Sequence, residues 1–221
     1  MIVYQKKPLT LVGGGELGNN DFRRACKIGQ VLVAADGGAS AAFTVGQIPD
    51  AVIGDLDSIS PNVLGKIPPD RLHHIEEQDS TDFDKCLRNL DAPLILAIGF
   101  TGARLDHQLA ALNVLPRYPA QRCILLGAED AVFLCPPQFS LETGPGTRIS
   151  LFPMGEVEGT SSGLKWPIDG ISFYPDGPIG TSNEATGPMS LTVTKPKMLL
   201  ILPQSHFEMA AKALIETEPR W

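Results

Sequence analysis

Cationic residues are in short supply in this chain. Eighteen Lys and Arg stand against 25 Asp and Glu, a net charge of −7. That field repels polyanions, so nucleic acid is excluded as a partner. A small anionic ligand then needs a metal ion or a local basic cluster to offset it. Cysteine is sparse as well. Cys26, Cys86, Cys123 and Cys135 are scattered and form no Cys-x-x-Cys pair, which favours buried thiols over a disulfide framework. Long hydrophobic runs are missing: "PLILAIGF" and "MLLIL" are too short to span a bilayer. The opening "MIVYQKKPLT" has no apolar signal-peptide core. The expectation is a soluble cytoplasmic chain with no membrane partner. There is no internal repeat, no low-complexity tract, no Gly-Lys-Ser/Thr of a phosphate-binding loop, and no evident Ser/His/Asp or Cys/His nucleophile. The pair His73-His74 has no second metal-ligand pair nearby and reads as structural or exposed.

What is present is ordinary globular material: 221 residues, 43% hydrophobic and 19% charged, enough to bury a core as one large domain or two small ones. Up to about residue 135, apolar runs ("LTLV", "VLVAA", "AVI", "PLILAI", "CILL") alternate with helix-like stretches near 21–29, 39–45, 81–90 and 106–115. In the third stretch Phe83, Leu87 and Leu90 recur at helical spacing, with Ser80 or Thr81 as the cap. This alternation predicts a Rossmann-like parallel sheet with helices on both faces. After "CPPQ" the texture changes. The pieces "TRISLFP", "GISFY", "MSLTV" and "MLLILP" are short, strand-like and separated by Gly, Pro, Asn and Ser, with one helix near 206–215. The reading is an α/β domain over 1–135 followed by a smaller all-β sandwich over 139–221.

Acids fall repeatedly at predicted strand ends: Asp36 after "VLVAA", Asp55 and Asp57 after "AVIG", Asp82 opening a helix after "RLHHI", and Asp106 after "PLILAIGF". Ligands of open α/β sheets bind outside the carboxyl ends of the strands. Singly, such acids are often turn or capping residues; their coincidence at one sheet edge concentrates negative charge that a hard divalent cation such as Mg²⁺ resolves. Lys85 and Arg104 interleave with them, and His107 either orients Asp106 or caps the next helix. Carboxylates, cations and glycine turns together describe a metal–polyphosphate site.

Gly13, Gly15 and Gly18 in "LTLVGGGELG" have the G-x-G-x-x-G spacing of a dinucleotide crevice, and Asp36 lies about 20 residues on. The "NND" that follows places the helix cap at Asn20 or Asp21, too late to seat a pyrophosphate. The glycines are expected instead to shape a strand-end turn whose backbone amides approach a nucleotide.

With "ADGGAS" (35–40), "GDLDS" (54–58), "EQDSTDFDKCL" (77–87), "GFTGARLDHQLA" (99–110), "SSGLKW" (161–166) and "TSN" (181–183), the chain resembles the thiamin pyrophosphokinases along nearly its whole length. The resemblance implies a catalytic α/β domain, a β-sandwich and a homodimer with thiamine bound between subunits. It implies transfer of the pyrophosphoryl group of Mg-ATP to the thiamine hydroxyl, with AMP released. Carried over by position, Asp36, Asp55, Asp57 and Asp82 surround metal and polyphosphate, the last three as metal ligands. Gly37, Gln78, Thr81, Lys85 and Arg104 contact the nucleotide or its phosphates. Asp106 holds the acceptor hydroxyl or ligates metal. Trp166 stacks on the thiamine rings (core packing being the alternative for that residue alone), with Ser182 and Asn183 lining the same pocket. Ala103 replaces the second glycine of the family's "GGRxDH" pattern, Ser40 an asparagine and Cys86 an alanine. The alternatives to this activity are a pyrophosphokinase acting on another hydroxymethyl heterocycle, such as a pterin, and a non-catalytic nucleotide- or thiamine-binding module.

Overall fold

The computed structural model describes residues 1–102, 104–218 and 220–221, and only the backbone at Asn19; Ala103 lies outside the described residues. Two compact units emerge. The first comprises Met1–Val114 with Leu125–Ala128, the second Leu115–Ile124 with Glu129–Trp221.

The first unit opens with β1 (Val3–Tyr4), β2 (Leu9–Val12), α1 (Asn19–Ile28), β3 (Val31–Ala35), α2 (Gly38–Thr44) and β4 (Ala51–Gly54). It continues through a short α3 (Pro61–Leu64), β5 (Leu72–His74), α4 (Asp82–Asn89), β6 (Leu90–Asp91), β7 (Ile95–Ile98) and α5 (Leu105–Val114). The main sheet runs β7-β2-β3-β4-β5, with every pair parallel. Strands β2, β4 and β7 are buried at every position, as expected of a parallel sheet covered on both faces. Helix α1 packs on β2 and β7, α2 on β2 and β3, and α4 on β3 and β4. From β2 the chain steps outward through β3 and β4 to β5, then returns through α4 to β7. With right-handed crossovers this reversal sets α1 and α2 on one face and α4 on the other. Helix α5 packs on α4. The helices after β2 and β7 therefore leave on opposite faces, and the crevice between those strand ends is a topological switch point.

Local signals explain most boundaries. Helix α4 is capped by Thr81, whose Oγ1 accepts from the Asp84 amide at 3.3 Å, and it buries Phe83, Cys86 and Leu87. Full burial of a side chain such as Phe83 or Leu87 is worth about 1.5–3 kcal/mol. The expected cap at Asn20 or Asp21 does not form: α1 begins at Asn19 with Gly18 as its cap residue and no side-chain cap bond. The small parallel pair β1–β6 has too few residues to leave a periodic signal.

The second unit is antiparallel. It contains β9 (Asp130–Leu134), β10 (Gln138–Leu141), β11 (Arg148–Pro153), β12 (Gly159–Leu164), β13 (Gly180–Val193), β14 (Met198–Pro203) and α6 (Phe207–Glu216); β8 (Cys123–Leu126) falls across the division between units. Strand β13 serves two ladders. Its first half pairs with β11 and its second half with β10, while β12 runs along both, from Val193 back to Ala185 with a register shift after Ser162; Gly187-Pro188 lies between the halves. A strand that bends from one sheet into another is how β-sandwich corners are made. "GISFY", expected as a strand, makes only an isolated bridge from Phe173 to Val157. The end of α6 is tied down by Arg122, a largely buried guanidinium that donates to the Leu214 and Thr217 carbonyls.

Candidate active site

The loops leaving β2 and β7 meet backbone to backbone. The Gly13 amide donates to the Ile98 carbonyl and the Gly15 amide to the Gly99 carbonyl, both at 2.8 Å. A Cβ on Gly13 or Gly15 would lie 2.6 or 2.7 Å from the Gly99 oxygen. This close approach is the physical reason for the glycine spacing. It also corrects the expected use of these amides: those of Gly13 and Gly15 hold the two loops together rather than reaching toward a ligand.

The acids at the ends of β3 and β4 converge. Asp36 is 2% exposed and left-handed, with φ 40°. Leu56, between Asp55 and Asp57, is also left-handed at φ 65°. Two such non-glycine residues at neighbouring strand ends mark strain of the kind that collects at functional sites. Carboxylate oxygens of Asp36, Asp55 and Asp57 lie within 4.8 Å of one another. Asp36 Oδ1 is buried with no hydrogen-bond partner. A buried acceptor without a donor costs about 1–3 kcal/mol, and a hard cation with oxygen ligands is the group that satisfies it and the clustered charge together. The donor set therefore fits a divalent metal. The family resemblance implies Asp82 as a metal ligand; the structure brings Asp36 into the close trio and sets Asp82 against Lys85.

Lys85 is 2% exposed and lies 3.1 Å from Asp82 Oδ1 and 3.5 Å from Asp55 Oδ2. Burial works against its charge, but the hydrogen bond and field of Asp82, with that of Asp55, outweigh it and raise its pKa. Burial also raises the Asp82 carboxyl, which Lys85 only partly offsets and which Asp36 and Asp55 push further up. Asp55 is desolvated too, yet the Gln78 hydrogen bond and Lys85 bring it below its ordinary value. Gln78 Nε2 donates to Asp55 Oδ2 at 2.9 Å, and Ser58 Oγ to Asp57 Oδ1 at 2.9 Å.

Asp36, Asp55, Gln78, Asp82 and Lys85 open onto a cleft of about 630 Å³ in the first unit, with Asp57 outside its walls. Its walls include Asp36, Gly37, Asp55, Gln78, Thr81, Asp82, Lys85 and Arg104. Arg104 and Asp106 form an exposed two-pronged pair, at 3.2 Å from Nε and 2.6 Å from Nη2. Its hydrogen bonds lower the Asp106 pKa. Arg104 and His107 line the cleft; Asp106 is not among its walls. Ser58, Ser80 and Phe100 also line it and escaped the sequence reading. Ser58 directly follows "GDLD" and Phe100 directly follows β7 and Gly99, so strand-end position was the signal that could have found them. The pair His73-His74 lies on β5, half-buried and exposed respectively.

In the second unit Trp166 is 54% exposed, which removes core packing as its role. Lys165 Nζ lies 4.8 Å above its ring and 3.3 Å from Glu184. Asn183 is buried, and its amide clasps the Trp166 backbone at both ends: Oδ1 accepts from Trp166 N at 3.2 Å and Nδ2 donates to Trp166 O at 2.7 Å. Ser182 is exposed and left-handed at φ 60°, its amide donating to Ser150 Oγ.

Fold and cleft together define a class: an α/β protein whose strand-end crevice carries clustered carboxylates and a buried lysine, followed by an antiparallel β unit presenting an exposed indole. The comparisons give the family. The pattern described as "Thiamin pyrophosphokinase, catalytic domain" matches residues 22–126, and "Thiamin pyrophosphokinase, vitamin B1 binding domain" matches 138–198. Thiamine pyrophosphokinase 1 of Oryza sativa subsp. japonica is 34% identical over 191 residues, 70% of this chain and 71% of that protein. Among solved structures, thiamin pyrophosphokinase from Candida albicans superposes with a TM-score of 0.75 at 17% identity, covering 90% of this chain and 89% of that one. The Bacillus subtilis enzyme does so at 0.73 and 23%, covering 89% and 98%. The structures establish the common fold, and the chain belongs to the thiamin pyrophosphokinase family.

Proposed function

We propose that this enzyme transfers the β,γ-pyrophosphoryl group of a divalent metal–ATP complex to the hydroxyl of thiamine, yielding thiamine diphosphate and AMP. The thiamine oxygen bonds to the β-phosphorus as the bridge between the α- and β-phosphates breaks. AMP leaves with the bridging oxygen, and the hydroxyl gives up its proton. The observation that carries the reading is the Asp36–Asp55–Asp57 cluster with its orphaned buried oxygen, set beside buried Lys85 in the cleft of a family member.

Asp36, Asp55 and Asp57 would hold Mg²⁺, with Asp82 at its margin. Such an ion neutralises polyphosphate charge and draws electron density from the phosphorus under attack. Transfer of this type asks the protein for positioning and charge neutralisation rather than a covalent nucleophile, and the residues present supply those. Lys85 offers its ammonium to phosphate from between two carboxylates. Thr81 accepts a helix-capping bond through Oγ1, which leaves its hydroxyl proton to donate to a phosphate oxygen. Gly37 and Gln78 line the nucleotide's path. Arg104, with two of its five donors on Asp106, keeps others for phosphate. Asp106, kept ionised by its Arg104 hydrogen bonds, is our candidate to hold and polarise the thiamine hydroxyl, whose proton ends in solvent.

Trp166 offers an indole face to the cationic thiazolium, an attraction of about 0.5–2 kcal/mol. Ser182 flanks it, and Asn183 fixes its backbone. We take residues 1–135 as the catalytic domain and 139–221 as the thiamine domain, working as a homodimer with thiamine at the subunit interface. Four free cysteines, three of them buried, fit a reducing compartment, and the cytoplasm is our assignment. The test offers Mg-ATP with thiamine or with a pterin alcohol and identifies the phosphorylated product by mass. Thiamine diphosphate alone is expected; a pterin diphosphate would overturn the substrate assignment. Asp106→Asn should lose turnover with its fold intact, and normal turnover would remove the role given to that carboxylate.

A further inference from the structure

Glu77 and Arg88 are not among the walls of the cleft. Arg88, in the last turn of α4, donates Nη2 to Glu77 Oε2 at 2.6 Å. The other carboxylate oxygen, Oε1, accepts from Ser80 Oγ. One acid thus ties the segment ahead of α4 to that helix's far end and to its own next turn. Gln78 and Asp79 within this segment are exposed, so core packing does not set their position.

Gln78 Nε2 reaches Asp55 Oδ2 at 2.9 Å, and Lys85 Nζ approaches the same oxygen at 3.5 Å. The Gln78 hydrogen bond and the Lys85 charge both fall on Oδ2, which fixes the rotation of the carboxylate and leaves Oδ1 clear of both. We propose that Glu77 and Arg88 are positioning residues: by holding Gln78 on Asp55 Oδ2, they present the Asp36–Asp55–Asp57 cluster in a geometry that a divalent cation accepts. The inference rests on reading that cluster as a cation site. Outer groups that orient metal-binding carboxylates commonly govern affinity in this way.

The test is a Mn²⁺ titration of the purified protein, with free Mn²⁺ counted by electron paramagnetic resonance, for wild type, Glu77→Gln, Arg88→Met, Arg88→Lys and Gln78→Ala. Steady-state constants for metal-ATP and thiamine are measured alongside. Glu77→Gln, Arg88→Met and Gln78→Ala should each weaken Mn²⁺ binding about 10-fold. The KM for metal-ATP should rise and the KM for thiamine stay unchanged. Arg88→Lys should retain part of the affinity because it keeps the charge. The double variant Glu77→Gln/Gln78→Ala should be no worse than Gln78→Ala alone, since the two residues act through one contact. An ion pair about a third exposed adds little to stability, so urea midpoints should barely move, and a merely structural role would reverse that pattern. Wild-type Mn²⁺ affinity in Glu77→Gln, or additive losses in the double variant, would overturn the inference alone. A wild-type protein that binds no Mn²⁺ would overturn the cation reading and the inference with it.

Discussion

Replacing Asp36 by Asn should stabilise the ligand-free protein while removing its response to nucleotide. The carboxylate is 2% exposed, carries an oxygen without a donor, and has two acids within 4.8 Å. At an effective dielectric of about 20, two unit charges at that separation repel by roughly 3.5 kcal/mol. Solvent at the exposed Asp57 and the nearby Lys85 reduce this. The orphaned oxygen alone costs about 1–3 kcal/mol. Asn removes the charge, brings an amide that can donate to a neighbouring carboxylate, and tolerates the left-handed backbone at this position. The expected net gain is about 2 kcal/mol, or about 4–8 °C at 2–4 °C per kcal/mol for a chain of this size. Urea unfolding without metal should show a higher midpoint at unchanged slope. Wild type at 100 times the Kd of Mg-ATP should gain about 2.7 kcal/mol, and the variant far less. A less stable apo variant, or an equal gain from Mg-ATP, would refute the reasoning.

Three further outcomes follow from the same geometry. Gly15→Ala places a methyl 2.7 Å from the Gly99 carbonyl oxygen and should cost about 1–3 kcal/mol in urea unfolding; Gly14→Ala, whose Cβ would meet nothing nearer than 3.5 Å, should be tolerated far better. Trp166→Ala should leave the unfolding midpoint unchanged but weaken thiamine binding by about 0.5–2 kcal/mol, roughly 2- to 30-fold, as read by calorimetry, with little effect on an uncharged analogue. Hydrogen bonds from Arg88 and Ser80 lower the Glu77 carboxyl from 4.5 to about 2. Because the folded value lies below the unfolded one, this contribution is full above pH 4.5 and is lost as pH falls toward 2. The small gap in urea midpoint between wild type and Glu77→Gln should therefore close across that window, and a gap independent of pH would contradict the assignment.

The parallel sheet was legible because β2, β3, β4 and β7 are continuous apolar runs closed by glycine or acid, the pattern of strands buried on both faces. Helix α4 was legible from Thr81 and the Phe83–Leu87 spacing. Strand β13 was not, because Gly187 and Pro188 read as a break where the chain in fact bends between ladders. "GISFY" failed the other way, its apolar residues burying Phe173 without a ladder around them. In the site, strand-end position pointed to Asp36, Asp55 and Asp82. The Asp82–Lys85 contact was legible as an i,i+3 pair on α4, but no local pattern could reveal that Asp36 completes the trio, since that depends on how the ends of β3 and β4 turn at Asp36 and Leu56. The glycine triplet was visible, but its purpose was not: the partner of Gly13 and Gly15 is a loop more than 80 residues away. Asn183 was picked out with Trp166, but only the fold shows that its amide is spent on that residue's backbone.

Which phosphorus of ATP is attacked separates pyrophosphoryl from phosphoryl transfer. With Mg-ATP labelled in the β-phosphate and thiamine as acceptor, the label should move to thiamine diphosphate in step with unlabelled AMP. Label retained in ADP, with thiamine monophosphate as the product, would contradict it.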